Sequence, residues 1–255
     1  MNKLPLMYSV EEMEDLQAFI EEHFGESQDL LLHEIQSEYV HTDTAVVRTP
    51  ADETAFVTFG ISARPMTAPL QTLSRCELVA YASPSFNAKS NDGRVIGGEL
   101  TRLGRFPFAN DTWFGEGHTI DASDLFRDTF GYDAFLFLNT HESYIADVNS
   151  CVRFLALLPI YAEERQYIME NGSSGFLAAL LARDGDSAMH ADVRRDPVSA
   201  EEAEEAEVTL TPQELCGIDD AWLGDFLAFL KEAEEEGFSL TEDDIARWIE
   251  EHEAP

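Results

Sequence analysis

Between His41 and Met66 the chain carries two runs rich in Val, Phe and Thr, His41–Arg48 and Ala55–Gly60, separated by Pro50-Ala51-Asp52. β-Branched and aromatic residues at this density favour extended backbone, and the proline-containing break reads as a turn. Gly60, followed by Arg64-Pro65-Met66, reads as a bend that ends the second run. The pair commits the chain to a β-sheet at its centre. Every other element has to be placed against that sheet.

The flanking segments supply partners for it. Ser9-Val-Glu-Glu12 has the spacing of a capping box, and Met13, Leu16, Phe19, Ile20 and Phe24 follow at helical intervals until Gly25. Leu30–Ile35 is expected as a short strand, and Cys76–Ala82 as another, closed by Pro84. Gly93–Phe106 places Val95, Ile96, Leu100, Leu103 and Phe106 on one side of a helix. Pro107–His118 fits no single period and is expected as an ordered loop. Phe135–Leu138 and Val152–Leu158 are continuous apolar runs of strand length, as expected of central strands, with Pro159 ending the second. Tyr161–Glu170 is expected as a helix stopped near Gly172, and Gly175–Leu181 as a buried apolar helix. The fold class is therefore α+β, a mixed α/β arrangement: a central, largely antiparallel or mixed β-sheet flanked by helices, with a C-terminal helical appendage.

The 255 residues, 44% hydrophobic and 11% aromatic, are enough for one sizeable core. The charge is the least ordinary quantity, with 16 basic residues against 50 acidic and a net charge of −34. Such a surface repels nucleic acid and anionic membranes, which need a basic footprint, and attracts basic proteins. Solubility is the plainer purpose of the same charge. No apolar run is long enough for a transmembrane helix, and the first residues lack the apolar stretch of a secretory signal. Three cysteines without close pairing fit a reducing, cytoplasmic setting. Composition changes after Arg183, where residues 184–255 hold 23 acidic and 4 basic residues. An acidic linker is expected over 184–210, followed by an acidic helical hairpin over 211–255 whose apolar side carries Trp222, Phe226, Phe229 and Trp248.

The candidate functional residues are few. His41 and Asp43 share one face of a strand, but a metal or acid–base site would need further ligands. A histidine hydrogen-bonded to a carboxylate is the plainer reading. Asp111, Trp113, Glu116 and His118 gather an aromatic and carboxylates in one loop, as protein-recognition patches do. The plainer role for Trp113 is to plug the core. Arg64 beside Pro65 could present a charged anchor or pair with an internal carboxylate. Asn171–Gly175 resembles an anion-binding turn only weakly, and no phosphate-binding loop or nucleophile elbow is present. Cys151 is expected to be buried and inert. No catalytic residue, metal or cofactor is assigned. The partner-binding set is Asp111, Trp113, Glu116, His118, Arg64 and Asp43.

Five stretches in order carry a resemblance: His41–Val47, Phe56–Met66, Glu77–Ala80, Trp113 to Ile120, and Leu157 to Gly172. Together they resemble the Suppressor of Fused family in its bacterial, single-domain form, over residues 9–183. The resemblance implies a mixed α/β domain that acts by binding protein. Its eukaryotic relative sequesters a transcription factor in a cleft between two domains, and only the first of these has a counterpart here. Bacterial relatives are regarded as immunity proteins that neutralise a toxin by binding it. What the resemblance and the charge imply together is a cytoplasmic, non-enzymatic immunity-type protein whose partner is another, basic, protein. The alternatives are a regulatory or structural scaffold and a metal-dependent hydrolase built on His41, Asp43 or His118.

Overall fold

A computed structural model describes residues 6–147 and 150–209. Among these residues, seven strands form one sheet: β1 (Glu26–Leu32), β2 (Asp43–Arg48), β3 (Thr54–Phe59), β4 (Cys76–Ala82), β5 (Thr119–Asp121), β6 (Ala134–Asp147) and β7 (Ser150–Ile160). Their order is β1-β2-β3-β4-β7-β6-β5. All neighbours are antiparallel except β4 and β7, which run parallel. The sheet is therefore mixed, as the sequence implies. The helices are α1 (Val10–Phe24), α2 (Asn91–Asn110), α3 (Asp124–Phe130), α4 (Ala162–Asn171), α5 (Ser174–Asp184) and α6 (Ala200–Thr209).

Both faces of the sheet are covered, and alternation along the strands shows how. Phe56, Leu78, Leu155 and Leu157 point to one face, where Ile96, Leu100 and Leu103 of α2 and Phe126 of α3 meet them. Val57, Val79 and Phe154 point to the other, under Leu16, Ile20 and Phe24 of α1. On that second face the far half of the sheet, with Leu136, Leu158 and Ile160, packs against Ile168, Phe176, Leu180 and Ala203 of α4–α6. Strands buried on both faces have no solvated side to show, so β3 and β7 are mostly apolar, without a polar residue at every second position.

The ends of the elements follow local chemistry. Ser9 caps α1 through Glu12, whose side chain accepts from the Ser9 backbone N–H in return. Gly172 ends α4 at φ 88°. The strand expected at Leu30–Ile35 begins earlier, at Glu26, because a bulge between Ser27 and Leu30 joins two short pairings with β2.

Two prolines behave differently from their sequence reading. Pro107 sits within the last turn of α2, which runs on to Asn110 into the segment expected as loop. A proline there forgoes only one hydrogen bond, and its carbonyl still accepts from the Asp111 and Thr112 N–H groups. Pro159 does not stop β7, which continues to Ile160 with Pro159 opposite Phe135. Two further differences concern burial. α5 is buried at Gly175, Phe176 and Leu180 but leaves Leu181 exposed, and Cys151 is half-buried. Among the described residues Cys76 is the fully buried thiol, and burial pushes its pKa up to about 12.

Beyond Arg183 the chain turns back along the domain. The Ala191 N–H donates to the Tyr81 carbonyl, and Asp192 accepts from the Ser83 N–H (2.7 Å) and hydroxyl (2.5 Å). Glu164, fully buried, accepts from the Arg195 guanidinium at 2.5 and 2.9 Å and from the Val198 N–H at 2.8 Å. Ser199 then caps α6 through a reciprocal pair with Glu202. The helical hairpin expected at 211–255 lies outside the described residues.

Candidate functional site

One end of the sheet gathers several of the residues singled out in the sequence, among them Asp43, Arg64 and Asp111. Because β2, β3 and β4 are successive antiparallel neighbours and β7 runs parallel to β4, the start of β2, the end of β3 and the starts of β4 and β7 lie together. The last turn of α2 and the following loop lie over that end, where Thr67 and Arg64 meet Asp111 and Phe108.

Its floor is polar and buried. Glu77 on β4 has no exposed surface. It accepts from the Gly60 N–H at 2.8 Å, the Ser62 N–H at 3.0 Å, the Thr58 hydroxyl at 2.7 Å and the Ser62 hydroxyl. Burial raises its pKa above the ordinary carboxylate range, and these four donors oppose the rise. The Tyr8 hydroxyl donates to Ser62 at 2.8 Å, and its own pKa is pushed up to about 12, chiefly by burial. Arg75 donates to the Ser62 carbonyl. Together these bonds fix the turn after β3. Gly60 makes that turn possible, with φ 117° and an added Cβ falling 2.1 Å from the His41 carbonyl oxygen.

Beside it lies a second buried carboxylate, Asp43. Its Oδ2 is 3.0 Å from His33 Nδ1, and its Oδ1 is 3.1 Å from His41 Nε2 and accepts from the Glu34 N–H at 3.2 Å. Glu34 is buried in turn and accepts from Arg105 Nε at 2.7 Å, from the Thr42 N–H at 2.9 Å and from the Ser37 hydroxyl at 2.9 Å. The Arg105 guanidinium thereby ties the segment from His33 to Asp43 to α2.

The upper layer is aromatic and acidic. The Arg64 guanidinium lies 5.2 Å over the Phe108 ring, not against an internal carboxylate, and Tyr39 packs on the same ring at 6.4 Å. Asp111, in left-handed backbone at the end of α2, accepts from the Thr67 hydroxyl at 2.6 Å. Trp113 is half-buried against the core and meets His118 edge-on at 4.7 Å. Gly115 lets it lie there, because a Cβ at that position would come within 2.5 Å of the indole. Asp111, Glu116 and His118 are exposed. Trp113 and His118 border a cleft of about 560 Å³ that also takes in Phe106, Phe137 and the Arg165–Asp121 ion pair.

The structure thus brings Asp43, Arg64, Asp111 and Trp113 to one end of the fold, with Glu116 and His118 beyond on the same loop. Sequence reasoning missed Glu77, Glu34, Arg105 and His33 as members of this assembly. The only signal for Glu77 was a charge in an otherwise apolar strand. For Glu34 and Arg105, 71 residues apart, there was none. A second cleft of about 510 Å³ opens between α1 and the α4–α6 side, lined by Phe24, Tyr81, Leu138 and Met189, and it too had no sequence signature.

Comparison with known proteins adds the following. The family model described as "Suppressor of fused protein (SUFU)" matches residues 38–196. The crystal structure of a Sufu–Fu complex is similar in fold, with a TM-score of 0.56 at 13% identity, covering 82% of this chain and 98% of that one. A crystal structure described as a putative suppressor of fused homolog from Neisseria gonorrhoeae FA 1090 gives a TM-score of 0.47 at 16% identity, covering 72% of this chain and 93% of that one. No curated protein matches in sequence.

Proposed function

This chain belongs to the Suppressor of fused family, and from that premise we propose that it works by binding another protein, without catalysis, through the end of the sheet described above. The reading is sharpened by charge. The partner is a basic protein, and the setting that best explains a dedicated acidic binder is immunity: occlusion of a toxin's basic surface.

The observation that carries this reading is how the two signs of charge are distributed. The arginines are largely engaged internally: Arg48, Arg102, Arg105, Arg127, Arg165, Arg183 and Arg195 all sit in ion pairs. Apart from a few buried carboxylates such as Glu34, Asp43, Glu77 and Glu164, the acids stand outside. Glu11, Glu12, Glu14, Asp15, Glu21 and Glu22 are all exposed on α1, and Asp111 and Glu116 are exposed beside Trp113. What a partner meets is therefore carboxylate around aromatic rings. Phe108, already covered by Arg64, displays the guanidinium-over-ring contact that a basic partner would repeat at Trp113. The acidic segment beyond residue 210 enters this reading as an appendage that adds to the same field.

The test is capture on immobilised full-length chain from its source cells, washed first at low and then at high salt. A specific basic protein released by salt is the expected result, since exposed charge contacts are screened within about 10 Å at 0.1 M salt. Capture of an acidic or neutral protein indifferent to salt would overturn the electrostatic reading. Capture of nothing would overturn binding itself.

A further inference from the structure

From the geometry around Asp43 we infer a binding site for one divalent transition-metal ion of the zinc class, held by His33 Nδ1, His41 Nε2 and the Asp43 carboxylate. These three ligating groups lie within 4.8 Å of one another. They converge by sheet register. Leu32 pairs with Thr44, so His33, one residue past the end of β1, falls opposite Asp43 at the start of β2. His41, two residues before Asp43, reaches the other carboxylate oxygen. The nitrogen–oxygen separations of 3.0 and 3.1 Å are close to the spacing of about 3.4 Å between ligands bound tetrahedrally at about 2.1 Å. Small side-chain shifts would admit the ion.

The second observation lies behind His41. Its Nδ1 is 2.7 Å from the Ser37 hydroxyl oxygen, and that hydroxyl donates to Glu34 Oε2 at 2.9 Å. When Ser37 gives its one proton to the carboxylate, His41 donates from Nδ1. The lone pair of its Nε2 then faces an Asp43 oxygen at 3.1 Å. Two electron pairs at that distance need a positive charge between them, which is either a second ring proton or a metal ion. A carboxylate relay fixing the tautomer of a histidine whose free nitrogen points at other ligands is how metal-binding imidazoles are held. Glu34 is itself anchored by Arg105, so the relay is rigid.

Two imidazoles and one carboxylate choose the metal class. Calcium and magnesium prefer all-oxygen shells, whereas imidazole suits zinc, nickel, cobalt and iron. His33 is 65% exposed, which leaves the remaining coordination positions facing solvent. Metal there would staple β1 to β2 and fix the His33–Asp43 segment that carries Tyr39 against Phe108.

The experiment uses the full-length chain stripped with chelator and titrated with zinc by calorimetry. Magnesium in large excess covers the surface carboxylates. A parallel cobalt titration is read by its visible absorption. One equivalent is expected to bind and to give the intense band of a low-coordinate nitrogen–oxygen site. His33→Ala removes an exposed ligand and is expected to keep the native circular dichroism spectrum while abolishing the band. Ser37→Ala is expected to weaken zinc binding about 10- to 100-fold, and His141→Asn to leave it unchanged. Binding that magnesium abolishes, binding indifferent to His33→Ala, or no binding at all would each overturn the assignment and leave a proton between His41 and Asp43.

Discussion

Glu77 and Glu164 are both fully buried carboxylates, and the fold deals with them in opposite ways. Glu164, at the α4–α6 end, is neutralised by Arg195 at 2.5 Å. That guanidinium is itself enclosed, lying 5.4 Å from the Tyr161 ring and 5.7 Å from the Tyr132 ring. Glu77, at the loop end, has no guanidinium in contact among the described residues and is held by two backbone N–H groups and two hydroxyls. The first arrangement closes a structure, pinning the returning segment at 195–198 onto the domain. The second shapes a turn, since every donor except Thr58 belongs to Gly60 or Ser62. A buried ion pair is a lock, whereas a carboxylate satisfied by neutral donors works as a template for the backbone around it.

The contrast can be broken at either end. Arg195→Ala should have the largest effect, about 3–5 kcal/mol in urea unfolding, because it leaves Glu164 buried without its cation. A loss below about 1 kcal/mol would mean that the ion pair is not what closes this end. Next is Gly60→Ala, which forces a side chain into positive φ and against the His41 carbonyl. It should cost about 2 kcal/mol or more by the same measurement.

Glu77→Gln sharpens the comparison through pH. Burial raises the folded-state pKa of Glu77 above its unfolded value. Between those two values the folded chain holds more protons than the unfolded one, so this group's contribution to stability falls as pH rises through that window. Glutamine can keep an acceptor toward Gly60 and Ser62 but has no such slope. The variant should therefore compare better with the wild type at pH 8 than at pH 4, with a net cost near 1 kcal/mol or less at the higher value. A difference that does not change with pH would show that the four donors fully offset the burial. Trp113→Ala should have the smallest effect on stability, because the indole is half-exposed, while costing a partner about 2 kcal/mol of affinity if Trp113 is an anchor. Equal affinity would remove Trp113 from the binding surface.

How far the sequence could be read follows from the same physics. The β2–β3 hairpin, α1 with its Ser9–Glu12 box, and β4 were legible because their determinants are local: period, cap and turn residue. β5 and α3 went unassigned. β5 is only three residues long, and α3 is seven residues ending at Gly131, too short for a period to stand out. The Pro107 and Pro159 boundaries failed for a different reason. A proline disrupts an element only where its missing N–H is needed, and tertiary context decides that. Within the candidate site, Asp43, Asp111 and Trp113 were visible as residue types out of place. Glu77, Glu34, Arg105 and His33 were not, since their roles come from partners brought together by strand register and by the packing of α2.

The central claim is that partners are met at the loop end of the sheet and not at the Arg195 end. It is tested most directly by hydrogen–deuterium exchange of the full-length chain, alone and with its captured partner. Protection on binding is predicted at 33–43, 61–67 and 111–118, with 190–198 already protected in the free chain and unchanged. New protection confined to α4–α6 or to the returning segment at 190–198, with the three loop segments unaltered, would contradict the account.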